Sequence, residues 1–447
     1  MTTTTTPEEM FLASIKETEF NRGGSNGAGV PGLKPFIDGV VPEEFKDFYS
    51  ADELHALAQL KGTPRDIEDR MKVKLTDHYL KLAKRSEALR NLVKARPEET
   101  QDLSGEADPS NQNRYSPVRG MLHKYEMVLI YSAGTCSSHC RYCYRLDLFS
   151  KKTGKEMANI DEVSNYIKTH NQNVASDPNS DLFPVKEALL SGGDAMVLPN
   201  KRLARFFLAL AGAGVQTIRI GTKELAFFPY RFDQAFFDML DGFHQLYPQV
   251  RVVFAVHFTH PDEFLEKDEN GNYISQGWYY KWMPVTENAV EQLARRRHFV
   301  SMENQTPIIF KVNDNSKMLH TLQKELYHHG VGNHYLFQCR EIEGHKTFAV
   351  PVETAWKLVT ESQKGLSGVE KHARFVMSTE EGKMQVVGVS NDIIIFKLFR
   401  SPGGASTQGH IIMAKSNPDA LWITGYRDRI ISDDTGLFKQ ELVAVEA

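Results

Sequence analysis

The sequence of 447 residues has only four cysteines, little net charge and no long apolar segment. A formal charge of -4 is small for this length, so the chain lacks the basic excess of a nucleic-acid-binding protein and the excess of an acidic tail. No stretch approaches the ~20 apolar residues that cross a bilayer. The composition therefore predicts neither a nucleic-acid partner nor a membrane span, and it favours small-molecule ligands.

The first letters, MTTTTTPEEMF, contain neither the basic region nor the apolar stretch of a secretory signal. We therefore expect a cytoplasmic protein, in a compartment where clustered cysteines serve metal or redox chemistry rather than disulfides. Hydrophobic residues make up 41% of the chain and aromatic residues 10%, which is enough apolar side chain for a large core in one or two domains.

Three of the four cysteines fall within the segment CSSHCRYC. Cys136, Cys140 and Cys143 have the spacing C-x3-C-x2-C and follow an apolar run, so three thiolates on one loop can bind one metal centre. If three cysteines hold a cubane iron–sulfur cluster, they bind three of its four irons, and the fourth iron is open to bind and reduce another molecule. We interpret the segment as the ligands of such a cluster.

Two other interpretations of the cysteines are open. A zinc ion needs a fourth ligand, for which His139 or Cys339 is available, although zinc motifs usually consist of two separated pairs. A purely structural role is the second, but Arg141 and Arg145 in the same loop are unusual in an apolar core segment. Both alternatives explain less of the segment than a cluster does.

Because Tyr142 precedes the last cysteine, the motif C-x3-C-x-aromatic-C resembles the signature of radical S-adenosylmethionine enzymes. The resemblance implies that the three cysteines hold a [4Fe-4S] cluster, whose open iron binds S-adenosylmethionine and cleaves it reductively to a 5'-deoxyadenosyl radical. A second segment, LLSGGDAM, is similar to the glycine-rich loop that meets the methionine amino group in these enzymes. This similarity implies that four residues contact S-adenosylmethionine, namely Ser191, Gly192, Gly193 and Asp194.

Six short apolar or β-branched runs alternate with amphipathic, helix-like segments. This alternation predicts a parallel sheet, open or curled, and polar residues follow each run, where barrel enzymes have their sites. Together with the resemblance, it gives an expected α/β fold: a partial (β/α)6 TIM-like barrel at 111–350, after a helical region at 1–110 and before a small carboxyl-terminal region at 351–447. The predicted strands are Met127–Tyr131, Glu187–Leu190, Thr217–Ile220, Val252–Val256, Ile308–Lys311 and Tyr335–Gln338.

A closer resemblance covers roughly residues 30 to 390. The segments SPVRGMLHKYEMVLIY, IRIGTKELAFFPYRF, ENQTPIIFKVND and YLFQCREIEGHKTFAVP occur in the order and approximate spacing of the lysine 2,3-aminomutase family. This resemblance implies that the enzyme also uses pyridoxal 5'-phosphate (PLP), and that the adenosyl radical takes a hydrogen from C3 of an amino acid whose nitrogen then migrates. It further implies an electron donor such as flavodoxin or ferredoxin, and a homo-oligomer.

The family's cofactor residues are carried over one at a time. Lys383, in STEEGKMQVVG, matches the lysine that binds PLP, although acidic residues precede it where the family has a run of glycines. At the phosphate end, Gln305 matches a contacting glutamine, and Lys124, in HKYEMV, stands for one of two arginines. Met127 lies where the second arginine would be. His257, in the segment HFTHP, is expected beside the adenosine or the substrate.

Arg145, two positions after the third cysteine, matches the family's arginine that grips the substrate α-carboxylate, and a guanidinium fork suits that group. Lysine-acting members hold the distal ammonium with two aspartates, and those positions are Arg340 and Ser378 here. An arginine repels an ammonium and attracts a carboxylate, as in the family's glutamate-acting branch. We therefore expect an acidic substrate, glutamate before aspartate, unless Arg340 pairs with Glu341 or Glu343.

The sequence thus predicts an isomerase: a radical S-adenosylmethionine, PLP-dependent 2,3-aminomutase that converts an acidic or neutral α-amino acid into a β-amino acid. Because the phosphate site is altered, a second interpretation is open, in which the cluster and S-adenosylmethionine are kept but PLP is lost or redirected. Such an enzyme would catalyse elimination, epimerisation or dehydrogenation of an amino-acid-like substrate. A non-enzymatic iron–sulfur or zinc scaffold would leave the SGGD segment unexplained.

Overall fold

The computed structural model of the chain describes residues 5–18, 46–108, 111–145, 157–402 and 407–436. Its strands, in chain order, are β1 (Met121–His123), β2 (Met127–Ala133), β3 (Glu187–Gly192), β4 (Thr217–Thr222), β5 (Arg251–Val256), β6 (Ser275–Gln276), β7 (Tyr279–Tyr280), β8 (Val300–Ile308), β9 (Val331–Gln338), β10 (Arg374–Thr379), β11 (Gly382–Ser390), β12 (Ile393–Arg400), β13 (Ile411–Lys415) and β14 (Ile430–Asp433).

The α-helices of the described residues fall before the sheet, between its strands and after β9. They are α1 (Pro7–Ser14), α2 (Ala51–Leu60), α3 (Ile67–Arg70), α4 (Asp77–Arg85), α5 (Glu87–Val93), α6 (Glu98–Gln101), α7 (Ile160–Ser176), α8 (Asn200–Gly212), α9 (Glu224–Phe227), α10 (Gln234–Leu246), α11 (Pro284–Arg295), α12 (Ser316–His328) and α13 (Val352–Ser362). In these same ranges, no helix is both long enough and apolar enough to cross a membrane.

Twelve strands form one sheet in chain order, and β6 and β7 pair separately. The strands from β2 to β10 in this sheet are parallel to their neighbours, while β1 and β11 to β14 extend the two edges with antiparallel pairing. Helices connect the parallel strands, so the predicted mixed α/β class with a mostly parallel sheet is confirmed. The curl of this sheet into a partial (β/α)6 barrel stays a prediction.

Amphipathic helices cover the sheet and bury its core. In α8, Leu203, Phe207 and Leu210 recur at spacings of four and three and are fully buried, and the ring of Phe207 lies 5.0 Å from that of Phe243 in α10. The chain leaves α8 through Gly214 at φ +89°, a left-handed conformation that favours glycine. This helix is one of the amphipathic, helix-like segments that the sequence predicted between the strands.

The fifth predicted strand, Ile308–Lys311, is wrong. The strand in this place is β8, and the residues after it form a turn in which Lys311 has a φ of 61°. Every second residue of β8 is buried, so the strand is the alternating segment VSMENQTPI, and the continuous apolar run that follows it is not a strand. The other five predicted strands coincide with β2, β3, β4, β5 and β9.

The helical region expected before residue 111 is helical only in part. Residues 71–76 form no helix; Met71, Val73 and Leu75 are buried and alternate with more exposed lysines, as in an extended segment. The helix α4 begins after this segment, where the side chain of Thr76 accepts a hydrogen bond from Tyr79 N at 3.1 Å. This extended segment brings its lysines to the cysteine loop.

Candidate active site

The three cysteines of the predicted cluster lie on the loop after β2 and are half-buried. Burial is the main cause that raises the pKa of the Cys136 and Cys140 thiols, that of Cys140 to about 12, and the neighbouring cysteines add to it. Metal ligation needs thiolates, so a bound metal centre would displace these protons. The structure thus groups three thiols at the carboxyl end of one parallel strand.

The extended segment at 71–76 holds this loop from one side. Lys74 Nζ donates hydrogen bonds to the carbonyl oxygen of Cys136 (2.6 Å) and to Thr135 Oγ1 (3.0 Å). In return, the backbone N–H of His139 donates to the carbonyl oxygen of Lys74 (2.9 Å). The positions of the first two cysteines are therefore set by contacts with a segment more than sixty residues earlier in the chain.

Arg141, between the second and third cysteines, fixes the rest of the loop. Its guanidinium is fully buried and donates to both carboxylate oxygens of Glu99, with Nη2–Oε2 at 2.7 Å and Nε–Oε1 at 3.2 Å. Its third nitrogen donates to the carbonyl oxygen of Met71 at 2.6 Å. A buried guanidinium with all its nitrogens engaged orients the loop firmly.

The SGGD loop packs directly on the backbone of the cysteine loop. The backbone N–H of Gly193 donates to the carbonyl oxygen of Ala133 at 2.6 Å. A Cβ on Gly193 would lie 2.1 Å from the carbonyl oxygen of Thr135, and a Cβ on Gly192, whose φ is +103°, would lie 2.5 Å from that of Ala133. Only glycine fits at these two positions. Ser191, at the end of β3, is in register with the neighbouring strand β2.

Asp194 joins the SGGD loop to the segment after β4. Its buried carboxylate accepts hydrogen bonds from the backbone N–H of Lys223 (2.6 Å) and of Met196 (2.9 Å) and from Thr222 Oγ1 (3.0 Å). Burial raises its pKa to about 6 even though these bonds favour the charged form. The described contacts therefore make Asp194 a residue that positions the loop.

Tyr142, the aromatic residue of the cysteine motif, connects the loop to the segment after β5. Its hydroxyl forms hydrogen bonds with His257 Nε2 (3.0 Å) and Thr259 Oγ1 (3.1 Å). Lys223 Nζ donates to the carbonyl oxygen of His257 (2.8 Å) and to the buried carboxylate of Glu263 (2.6 Å). Burial and the charge of Lys223 hold the pKa of His257 well below its usual range, so the ring is neutral.

Among the described residues, no three His, Cys, Asp or Glu side chains converge as a single metal ion requires. A cluster is held differently, because each cysteine binds its own iron. Cys339, one candidate for a fourth zinc ligand, is buried within reach of the charges of Arg340 and Arg96, and burial raises its pKa to about 12. His139, the other candidate, is hydrogen-bonded through Nδ1 to the carbonyl oxygen of Lys72 at 2.8 Å. Both side chains thus have contacts with the protein itself.

Two arginines lie against one tyrosine ring beside the cysteine loop. The guanidinium carbon of Arg145 is 4.6 Å from the ring centroid of Tyr144, and that of Arg340 is 4.3 Å from the same centroid. Arg145 Nη2 and Arg340 Nη1 are buried and have no hydrogen-bond partner among the described residues. The structure therefore brings together the two arginines that the sequence predicted to contact substrate, each with a donor left over.

The alternative partners of Arg340 are engaged elsewhere. The carboxylate of Glu341 accepts a hydrogen bond from Thr424 Oγ1 at 2.7 Å, and within the described ranges no ion pair joins Arg340 to Glu341 or Glu343. Burial and the positive charge of Arg145 lower the pKa of Arg340, while the carboxylate of Asp108 opposes them. An arginine is still charged at any physiological pH, so this site holds two adjacent positive charges.

The amine of Lys383, in β11, lies on two aromatic rings. Its Nζ is 4.1 Å from the ring centroid of Tyr335 and 5.0 Å from that of Phe337. Burial and three surrounding guanidiniums hold its pKa well below its usual range. A lysine amine whose pKa is lowered loses its proton, and becomes nucleophilic, at a lower pH than an ordinary lysine. The guanidiniums, in order of their effect on Lys383, belong to Arg400, Arg219 and Arg340.

The remaining predicted residues lie around Lys383. Ser378, in β10, is directly opposite Lys383 in β11. Gln305, in β8, is in register with Tyr335, the nearer of the two aromatic residues that Lys383 contacts. Lys124 Nζ donates to the carbonyl oxygen of Thr379 at 2.8 Å, and burial and a nearby guanidinium lower its pKa to about 8. Lys124 and Lys383, both predicted to contact PLP, therefore meet at the turn between β10 and β11, and Gln305 lies two strands away in β8.

No protein-family model matches the chain. A protein of Aquifex aeolicus named "Putative L-lysine 2,3-aminomutase" is 29% identical over 349 residues, which cover 77% of this chain and 84% of the relative. An L-lysine 2,3-aminomutase of Fusobacterium nucleatum is 26% identical over 355 residues, 75% of this chain and 73% of the relative. These relatives support placing the chain in the lysine 2,3-aminomutase family. A glutamate 2,3-aminomutase of Clostridioides difficile is 24% identical over 264 residues, 58% of this chain and 54% of the relative. The relatives are named aminomutases, which are isomerases, so the prediction of an isomerase is confirmed.

Two residues of this aminomutase-family site were missed by reasoning from the sequence. Tyr144 stands between the third cysteine and Arg145, and its aromatic character next to an arginine was the available signal. Arg400 carries no such signal, because its place beside Lys383 depends on the register of β11 and β12, which the sequence does not reveal.

Proposed function

We propose that the chain is a radical S-adenosylmethionine, PLP-dependent 2,3-aminomutase whose substrate is an acidic amino acid, glutamate before aspartate, with a neutral amino acid next. When bound, the [4Fe-4S] cluster and S-adenosylmethionine supply a 5'-deoxyadenosyl radical, and PLP supplies an aldehyde and a ring that spreads radical density. The partial barrel, an electron donor such as flavodoxin or ferredoxin, a homo-oligomer and a cytoplasmic location belong to the same proposal.

The observation that carries the choice of substrate is the pair of arginines on Tyr144. Arg145 is 4% exposed, and its Nη2, which has no hydrogen-bond partner among the described residues, needs an acceptor, for which a carboxylate is well suited. Arg340 supplies a second such nitrogen beside it. An α-amino acid with a second carboxylate gives one acceptor to each arginine, whereas the ammonium of lysine would meet two positive charges.

The names of the relatives include both a basic and an acidic substrate. Relatives named for lysine and one named for glutamate align with this chain at similar identity, so overall similarity does not decide between the two substrates. The charge at Arg340 favours the acidic one. In this proposal, Arg145 holds the α-carboxylate, Arg340 holds the side-chain carboxylate, and Ser378 leaves the distal end without an opposing acid.

The environment of Lys383 fits PLP. The lysine that joins PLP must be deprotonated to attack an aldehyde, and the surroundings of Lys383 lower its pKa for that purpose. Lys124, which contacts the turn before Lys383, and Gln305, in register with Tyr335, are the residues proposed to face the phosphate of the cofactor. These residues bind and orient the cofactor and exclude water from it.

The cysteine loop fits a cluster whose fourth iron is open. Three thiols stand on one loop, and the glycines of the SGGD loop bring a second backbone segment within hydrogen-bond distance of it. Exposed backbone next to a cluster is what an amino acid moiety such as that of S-adenosylmethionine requires for close approach. His257 is neutral and hydrogen-bonded to Tyr142, so it can shape this pocket without adding charge.

Borohydride trapping tests the PLP part of the proposal. Condensation of the Lys383 amine with the aldehyde of PLP releases water, and hydride from borohydride then converts the new bond to a stable secondary amine. Anaerobically purified, PLP-supplied protein is reduced, digested and analysed by peptide mass spectrometry. We expect a phosphopyridoxyl group on Lys383 and its loss in Lys383→Ala. Lys397→Ala, which removes an exposed lysine in the adjacent strand, is the matched control and should keep the adduct.

Substrate choice is tested separately. The reconstituted protein is incubated with S-adenosylmethionine, a reductant and single ¹⁵N-labelled amino acids, and the β-amino acid products are identified by mass spectrometry. We expect β-glutamate to form fastest. Faster turnover of lysine than of glutamate would contradict the argument from charge while leaving the reaction class intact.

The second candidate is a radical S-adenosylmethionine enzyme that does not use PLP, and one observation favours it. Met127, buried in β2, leaves the expected phosphate site one cation short. If no lysine carries an adduct while 5'-deoxyadenosine still forms, elimination, epimerisation or dehydrogenation would replace the aminomutase reaction.

A further inference from the structure

The segment HKYEMV supplies only one side chain of positive charge that is placed for a phosphate. Lys124 lies at the turn before Lys383, but Met127 is in register with Glu187 in the interior of the sheet and is 7% exposed. Its position is therefore closed to any cation that could reach the cofactor. The phosphate of PLP carries about two negative charges near pH 7, so a second cation has to come from elsewhere in the chain.

Arg400, the last residue of β12, contacts this same segment. Its guanidinium carbon lies 4.4 Å from the ring centroid of Tyr125, and its Nη2 forms an ion pair with the half-exposed carboxylate of Glu126. Its Nε is buried and has no hydrogen-bond partner among the residues described. Arg400 thus stands against the residues that follow Lys124, with a donor still to be satisfied.

Arg400 is also the cross-strand partner of Lys383 in the pairing of β11 with β12. Directly opposed residues of an antiparallel pair leave the sheet on the same face, with Cβ atoms about 4.5–5.5 Å apart. Among the charges that lower the pKa of Lys383, that of Arg400 is the largest. One side chain therefore faces both the amine that would join the aldehyde and the segment expected to hold the phosphate.

We propose that Arg400 is a phosphate-binding residue of this chain and supplies, from β12, the second cation that the segment HKYEMV lacks. This inference rests on the proposed use of PLP. A guanidinium is suited to the role because it can give two parallel hydrogen bonds to phosphate oxygens. Its stacking on Tyr125 holds the plane in place, and Nε, which has no hydrogen-bond partner among the described residues, is left for the ligand.

The test compares PLP with pyridoxal, which has the same aldehyde and ring but no phosphate. For each compound, the adduct trapped on Lys383 is measured against concentration, which gives a half-saturating concentration. In Arg400→Gln we expect this concentration to rise about 10- to 100-fold more for PLP than for pyridoxal, because only PLP loses charged hydrogen bonds to the guanidinium. Both compounds share any change that comes from the pKa of Lys383. Arg400→Lys, which keeps the charge but not the fork, should fall between wild type and Arg400→Gln.

Three controls separate phosphate binding from a structural role. Arg374→Gln removes an exposed arginine that lies 5.4 Å from the ring of Phe399 in the same sheet, and PLP binding should not change. Glu126→Gln removes the competing carboxylate and should lower the half-saturating concentration of PLP. Thermal unfolding of each variant shows whether the fold is kept.

The possible outcomes test two separate claims, the phosphate role of Arg400 and the use of PLP. Equal shifts for PLP and pyridoxal in Arg400→Gln, or no shift for either, would overturn the phosphate role of Arg400. So would a loss of PLP binding in Glu126→Gln as large as that in Arg400→Gln, because the ion pair itself would then be what matters. A wild-type protein that forms no adduct at any PLP concentration would overturn the proposed PLP dependence, and this inference with it.

Discussion

The guanidinium of Arg141 and the carboxylate of Glu99 form a fully buried two-point ion pair that ties the cysteine loop to α6. Removal of one partner of such a pair typically costs about 3–5 kcal/mol, because the other charge stays in the core. We expect Glu99→Met to lower the free energy of unfolding by about this amount and to reduce the iron content after anaerobic reconstitution. Arg141→Met should be milder, since Arg70 lies 3.7 Å from the same carboxylate and still offsets it. Denaturant unfolding measures the free energy of unfolding of both variants, and a larger loss in Arg141→Met than in Glu99→Met would contradict the argument.

Gly193→Ala should separate the cysteine loop from the SGGD loop without unfolding the chain. The new methyl group would meet the backbone carbonyl of Thr135, and backbone cannot move aside as a flexible side chain does. A displacement of this kind near reacting groups commonly lowers turnover about 100-fold. The rate of 5'-deoxyadenosine formation measures this loss of turnover. Gly368→Ala is the matched control, because a Cβ there meets open space, and equal losses in the two variants would refute the close-packing argument.

Lys383→Met should make the protein more stable at pH 7. The folded state holds the pKa of Lys383 well below that of the unfolded chain, so between these two values the unfolded chain binds more protons and stability rises with pH. Methionine removes the cost of burying the lysine amine, and we expect the free energy of unfolding to rise by about 1 kcal/mol at pH 7. The gain should shrink as the pH approaches the ordinary lysine value of about 10.4. Denaturant unfolding at pH 7 and pH 10 tests the trend, and a gain that grew with pH would contradict it.

Arg340→Gln should lower kcat/KM for glutamate about 100-fold, mainly through KM, because a carboxylate would lose its charged partner. Activity on a neutral amino acid of similar size should change little. Arg374→Gln, which changes an exposed arginine in β10, serves as the control. If Arg340→Asp raised activity on a dicarboxylic amino acid, the role given to Arg340 would be wrong.

Local patterns were enough to predict much of this site. The spacing of Cys136, Cys140 and Cys143 and the glycines at 192 and 193 are properties of single loops, and the structure places both loops side by side. Four of the five correct strands are marked by largely apolar runs, and the segment TIRI of β4 is marked by β-branched residues. The misplaced strand, β8, alternates polar and apolar residues, and the apolar run beside it gave the stronger but misleading signal.

Relationships across long separations could not be predicted in the same way. Glu99 and Arg141, or Lys383 and Arg400, meet because of loop packing and strand register, and a shift of register by one residue would turn either strand's side chains to the other face. The contact of Lys74 with the cysteine loop depends on an extended segment that the sequence suggested was helical. In each case, the sequence around one residue gives no signal of the distant residue that it contacts.

The sheet runs without interruption from β9 through the parallel strand β10 into the antiparallel strands that bear Lys383. A truncated chain that stopped near residue 350 would leave the backbone N–H and C=O groups along β9 uncovered, a template for pairing with other molecules. Such a fragment would be prone to aggregate rather than persist as an independent domain. The strands that bear the lysine therefore also protect the edge of the sheet that follows the cysteines, and soluble expression should require both parts of the chain.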